Sequence, residues 1–121
     1  DEILDDKIRS ILSNNGFNEH YSNSLYSKDD TNVDSTYVPI KLMNPLSCDM
    51  EYLRNSLLPG LLRAISFNEK RGHAVVKLFE IGNVNSLNKQ RFNKASQYKQ
   101  IILSWMGDQI KHWDYSNPQN I

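Results

Sequence analysis

Residues 44–62 read NPLSCDMEYLRNSLLPGLL, nineteen positions holding a proline turn, an arginine, a serine and six leucines. Asn44-Pro45 opens the stretch as a turn, because proline presets its own φ and asparagine tolerates turn geometry. Met50 to Arg54 reads as extended. Ser56 is placed as a helix N-cap, its hydroxyl available to the free amides of the first turn. Pro59 falls three residues later, still in that turn, where a missing amide donor costs little. Leu57, Leu58, Leu61, Leu62 and Ile65 then follow at helical spacing. Gly72 closes the helix, with Lys70 and Arg71 at its negative end.

Working outward, Ile3, Leu4, Ile8, Ile11 and Leu12 recur at spacings that gather them on one helical face. Asp5 and Arg9, four apart, can pair on the opposite side. The Asn15-Gly16 stop predicts a helix over residues 2–14. Residues 17–26, rich in Tyr, Phe, Ser and Asn, read as a strand, and residues 28–35 as a loop. Tyr37, Val38, Ile40 and Leu42 make a short strand, placed at an edge or strand start because Pro39 lacks an amide donor. AVVKLFEIG (residues 74–82) is apolar on both faces around Lys77 and Glu80, which predicts a central strand covered on two sides. Residues 83–97 read as a long polar loop and residues 98–106 as a further strand. The element order predicts an α+β fold, a mainly antiparallel sheet flanked by helices. Residues 1–113 form the core in this reading, and 114–121 a frayed tail.

A chain of 121 residues accommodates one small domain. It begins without Met, which suggests a piece of a longer polypeptide. No apolar run approaches the ~20 residues that cross a bilayer, and no signal-peptide pattern opens the chain. Lys+Arg and Asp+Glu number 14 each, so the basic excess of a free-standing nucleic-acid binder is missing. A single cysteine, Cys48, forms no internal disulfide and fits a reducing cytoplasm.

The leucines at 57, 58, 61 and 62 form a core stripe on one reading. On another, their angular spread leaves apolar surface to face a partner subunit. Arg54, just before the helix, could clamp a carboxylate or phosphate, or form an ion pair between elements. Glu80, between Phe79 and Ile81, is either a ligand-facing acid or half of a structural pair. Lys89, Arg91, Lys94 and Lys99 put positive charge on the long loop and its exit, able to touch RNA phosphate or simply to be solvated. His20, His73 and His112 lack metal-ligand spacing, so no metal site is expected. Asp49 and Glu51 beside Cys48 would raise its thiol pKa, making it a poor nucleophile. No Walker loop, GxGxxG or serine–histidine–aspartate order is present.

These segments together resemble the beta-subunit family of bacterial phenylalanyl-tRNA synthetases. The resemblance runs through GFNEHYSNSLYS (residues 16–27), NPLS, LRNSLLPGLL, FNEKRG (residues 67–72) and LFEIG (residues 78–82). It departs at Asn55, where the family often has Thr. It implies a partial class II synthetase-like core, with the first helix and strand similar to the dimer-forming motif 1. Residues 74–82 and 98–106 are similar to the paired strands of motif 2. The arginine that motif 2 supplies to ATP phosphate has no counterpart here, since the first strand carries Lys77 and Glu80. The resemblance thus implies a non-catalytic piece that supports a catalytic alpha subunit. Leu57, Leu58, Leu61 and Leu62 are the expected interface, and Arg54 and Glu80 a vestigial nucleotide or amino-acid pocket. ATP and magnesium belong to the holoenzyme, which charges tRNA(Phe) in the cytoplasm. RNA contact through Lys89, Arg91, Lys94 and Lys99 is the alternative role.

Overall fold

The computed structural model describes residues 2–72, 75–88 and 94–107. The elements run α1 (Glu2–Asn14), β1 (Asn18–Glu19), β2 (Leu25–Tyr26), α2 (Lys28–Thr31), β3 (Ile40–Lys41), a 3-10 turn (Cys48–Met50), β4 (Tyr52–Leu53), α3 (Leu58–Lys70), β5 (Val76–Asn88) and β6 (Lys94–Met106). The described residues form two three-stranded sheets, ordered β1-β5-β6 and β2-β4-β3. The smaller sheet is antiparallel throughout. In the larger one β5 pairs antiparallel with β6 and parallel with β1. The architecture is α+β, with one parallel pair in an otherwise antiparallel set.

β5 is the central strand, as its sequence requires. Phe79 and Ile81 are buried on one face, Glu80 and Val84 on the other. Its partner on one side is β6, in an unbroken register from Val76↔Met106 to Asn88↔Lys94. Its other edge meets β1 at Leu78 and Phe79. Further along, the Asn85 amide donates to the Arg54 carbonyl at 2.9 Å and the Leu87 amide to the Val38 carbonyl at 2.9 Å. Residues 83–88 and 94–97 are strand rather than the loop expected of them because the β5–β6 register runs through them, and the two bonds tie that half of β5 to neighbouring segments. The polar Asn83 and Asn85 alternate with Val84 and Ser86, both of which are buried, so period-two burial continues beneath a polar composition.

Other boundaries shift for similarly local reasons. Residues 17–26 split into two short strands, because the segment between them turns inward at Ser22. The expected loop after it contains the short helix α2, capped at Ser27, whose hydroxyl accepts from the Asp30 amide at 3.3 Å. β3 is confined to two residues just after Pro39, at the edge of the small sheet. α3 starts at Leu58 with Pro59 in its first turn, and the Ser56 hydroxyl accepts from the Leu58 amide at 3.1 Å. The adjoining Leu57 amide is held by the Gln100 side chain at 2.6 Å. Gly72 ends α3 with φ +87°, a conformation that costs glycine little.

The two long helices lie toward opposite faces of the larger sheet: α3 packs on β5 and β6, and α1 sits beside β1 and reaches the other face through side chains. Odd-numbered residues of β5 and β6 share one face and meet α1: Lys77 Nζ donates to the Asn15 carbonyl at 2.6 Å, and Lys99 Nζ reaches Asp5 at 2.7 Å. Even-numbered residues meet the start of α3, where Leu57 and Leu61 are fully buried. α3 approaches residues 20–24 closely, because a Cβ on Gly60 would lie 2.5 Å from Ser22 Cβ.

α1 is a helix over the expected residues, but it is rotated about its axis: Ile8 and Leu12 of the expected apolar face are half-buried, beside Arg9. Asp5 faces inward, whereas Ile3, Leu4 and Ile11 are more than half exposed. Arg9 does not pair with Asp5; it binds Glu19 at 2.9 Å and Asp6 at 3.3 Å. Ion pairs to the sheet, not apolar contacts alone, set which side of α1 lies underneath.

Candidate functional site

Arg54 and Glu80 come together, as a pair rather than as a pocket. Arg54 follows β4 in the small sheet and Glu80 sits mid-way along β5, so the two side chains join the sheets. Arg54 Nη1 lies 3.4 Å from Glu80 Oε2, and the side chains are only 13% and 3% exposed. Ser22 completes the node. Its amide donates to Glu80 Oε2 at 3.0 Å and its hydroxyl at 3.1 Å. Arg54 Nη1 also donates to the Ser22 carbonyl and hydroxyl, each at 3.3 Å, and its Nε to the Asn83 carbonyl at 2.8 Å. The guanidinium lies against Gly82, where a Cβ would come within 2.7 Å of Nη2.

The backbone of Arg54 is committed too. Its amide donates to the Ser24 carbonyl at 2.9 Å, and its carbonyl accepts from Asn85. A buried cation needs a partner and filled donors, and Arg54 obtains both from its own chain. Glu80 Oε1 is buried without a hydrogen-bond partner among the described residues. An open cavity of about 540 Å³ has Ser22 in its wall but neither Arg54 nor Glu80. The pair reads as a staple between sheets.

A second polar cluster was not legible as such. Asn55 is 1% exposed, and its Nδ2 reaches three backbone carbonyls: Thr31 at 3.0 Å, Asp34 at 3.2 Å and Tyr37 at 3.0 Å. It gathers the 31–37 segment under the helix start. Next to it the Ser56 hydroxyl donates to Asp34 Oδ2 at 2.9 Å. Hydrogen bonding from Thr36, opposed by burial and helped to a lesser degree by Ser56, holds the Asp34 carboxyl below its ordinary value. Tyr26 donates its hydroxyl to the Ser56 carbonyl at 2.7 Å, and burial pushes its phenol up. The only sequence signal was the departure at Asn55. Ser22 had none, because its role depends on a carboxylate 58 residues away.

The leucines proposed as an interface divide. Leu57 and Leu61 are fully buried in the chain's own core, so they are corrected to core residues. Leu57 packs beneath Gly82, whose added Cβ would meet Leu57 Cδ2 at 3.3 Å. Leu58 is half-buried and Leu62 is 47% exposed. The larger free apolar surface lies elsewhere. Ile101, Leu103 and Trp105 share the odd-numbered face of β6 and are 43%, 51% and 52% exposed. They run between the two anchors of α1, Lys99 with Asp5 and Lys77 with Asn15; the Lys77 ammonium stands 5.9 Å from the Trp105 ring centroid. On α1, Leu4 and Ile11 are likewise more than half exposed.

Of the basic residues, Lys94 and Lys99 lie on β6, while Lys89 and Arg91 lie outside the described residues, as do His73 and residues 108–121. Lys99 is engaged with Asp5, whose hydrogen bond raises its pKa. The described residues contain no group of three or more His, Cys, Asp or Glu side chains able to hold a metal. No described helix is long and apolar enough to cross a membrane.

A family model for the phenylalanyl tRNA synthetase beta chain CLM domain matches residues 1–121. The chain is 32% identical over 120 residues to the phenylalanine–tRNA ligase beta subunit of Zymomonas mobilis, covering 98% of this chain and 14% of that protein. It is 37% identical over 110 residues to the chloroplastic beta subunit of Porphyra purpurea, covering 89% and 14%. With the beta subunit of Chlorobium chlorochromatii it shares 40% identity over 79 residues, covering 65% and 10%. The chain thus spans 14% or less of the length of each of these three relatives. With the whole chain matched and an α+β scaffold in place, it belongs to the phenylalanyl-tRNA synthetase beta-chain family, in its CLM domain.

Proposed function

We propose that this chain is a non-catalytic, class II synthetase-like assembly module of a phenylalanine–tRNA ligase beta subunit. It docks a catalytic alpha subunit through α1 and the odd-numbered face of β6. ATP and magnesium act on the alpha subunit, and tRNA(Phe) is charged in the cytoplasm by the assembled enzyme. One contrast carries this reading. The polar groups that could have served a ligand, Arg54 and Glu80, are tied to each other and to Ser22, whereas Leu4, Ile11, Ile101, Leu103 and Trp105 stay substantially exposed. Apolar side chains gathered on one surface mark a site of association, and the beta-subunit family supplies the partner. Leu57 and Leu61 support that surface only by holding the core.

The test uses full-length beta subunit co-expressed with alpha. Leu4→Asp together with Ile11→Asp should leave beta folded, as read by circular dichroism, yet abolish co-elution with alpha in size-exclusion chromatography and lower aminoacylation in parallel. A folded double variant that assembles and charges tRNA normally would refute the assignment.

A further inference from the structure

The cavity between residues 20–23 and α3 has a chemistry that neither the Arg54 staple nor the α1 surface uses. It opens to solvent and measures about 540 Å³, within the roughly 300–1,000 Å³ of small-molecule and cofactor sites. Tyr21 and Phe67 line it and are 74% and 56% exposed, unusual for rings in a concave wall. The Arg71 guanidinium stands 4.6 Å from the Phe67 ring centroid. At 100° per residue, Arg63, Phe67, Lys70 and Arg71 fall on one stripe of α3, with Glu69 on the far side. Arg63 pairs with Asp30; among the described residues Lys70 and Arg71 have no carboxylate partner. In the wall, the side chains of His20 and Asn23 make no hydrogen bond to the described residues. Asn68 uses its Nδ2 on the Ala64 carbonyl at 2.8 Å.

Two exposed rings, two unengaged polar side chains and a flanking cationic stripe are the components that recognise a splayed-out base and its phosphate. A purely apolar groove would suit a peptide anchor, but this wall mixes rings with hydrogen-bonding groups and cations. We propose that this cavity binds one unstacked nucleotide of a single-stranded RNA segment. The base stacks on Phe67 or Tyr21, His20 and Asn23 meet its edge, and Lys70 and Arg71 meet the phosphate. The site is separate from the basic residues on β6: Phe67, Lys70 and Arg71 belong to α3 and its C-terminal cap, on the sheet face opposite α1, while the Tyr21 hydroxyl is hydrogen-bonded to Glu19, the carboxylate that Arg9 of α1 also binds.

The experiment takes the assembled holoenzyme with a fluorescein-labelled single-stranded RNA octamer containing 4-thiouridine. Irradiation should join the octamer to peptides carrying Tyr21 or Phe67. Phe67→Ala should remove that adduct and weaken octamer affinity about tenfold, the scale of losing one stacked base. Arg71→Ala should reduce the salt dependence of binding. Since Phe67 and Arg71 are both exposed, neither substitution threatens the fold. Adducts confined to β6, or affinity unchanged by Phe67→Ala, would overturn the proposal. Equal competition by a duplex of the same sequence would also overturn it. So would hydrogen-exchange protection of residues 20–23 in the holoenzyme that the octamer leaves unaltered, since a protein segment would then fill the cavity.

Discussion

α1 and α3 are both thirteen residues long, both amphipathic, and set on opposite faces of the same sheet, yet α3 buries an apolar side and α1 a mixed one. α3 behaves as amphipathicity suggests. Leu61, with Leu57 just ahead of the helix, fills the core against β5, and Arg63 and Phe67 face outward. α1 turns the buried Asp5 and the half-buried Ile8, Arg9 and Leu12 toward the sheet and carries Leu4 and Ile11 outside. One helix is oriented by burial within the chain, and the other by ion pairs to Lys99 and Glu19 that leave an apolar side free. An apolar stripe identifies a helix but does not say which polypeptide will cover it.

The contrast can be broken most sharply at its two apolar ends. Leu61→Asp places a carboxylate where the side chain is fully buried, and should cost about 4 kcal/mol or more. Loss of α3 amide protection in hydrogen exchange would register it. The equivalent change on the other helix, Ile11→Asp, should alter stability by no more than about 0.5 kcal/mol, because Ile11 is 61% exposed. Comparable losses from the two would erase the distinction between core and docking face.

Next in size is the staple. Arg54→Met leaves Glu80 buried without its cation and should cost about 3–5 kcal/mol, whereas Arg54→Met with Glu80→Leu should recover much of that loss. Additive penalties in urea unfolding would mean the two side chains do not act as a pair. Asn55→Ala removes the donor shared by three carbonyls and should cost about 2 kcal/mol, with increased exchange at residues 31–37.

The smallest effect concerns the polar underside of α1. The hydrogen bond from Lys99, with its charge, lowers the Asp5 carboxyl below its ordinary 3.8, against an opposing effect of burial. A carboxylate whose folded pKa is depressed contributes stability above its unfolded value, and that contribution is lost as pH falls through the folded one. Exchange protection of α1 should therefore decline below about pH 4. The Asp5→Asn variant should lack that dependence, and an unchanged acid profile would show that Asp5 does not hold the helix.

Much of this molecule was legible before any coordinates. The helices at 2–14 and after Ser56, the central position of LFEIG and the glycine stop at Gly72 all rest on local periodicity and backbone chemistry. The Arg54–Glu80 pair stood among the alternatives. The hairpin beyond Gly82 was missed because its composition is polar, although Val84 and Ser86 are buried in alternation. Ser22 and Asn55 were missed because a serine or asparagine acquires a structural role only when distant carbonyls and carboxylates are brought to it.

The order of residues by itself determined the family, the α+β class and the positions of the main helices and of the central strand, because those depend on interactions between near neighbours. Tertiary structure alone decided which side of α1 faces the sheet, that Leu57 and Leu61 belong to the core, and that Arg54 and Glu80 satisfy one another. Each of those outcomes depends on the free energy of placing a side chain against residues far along the chain, and no local pattern encodes that partner.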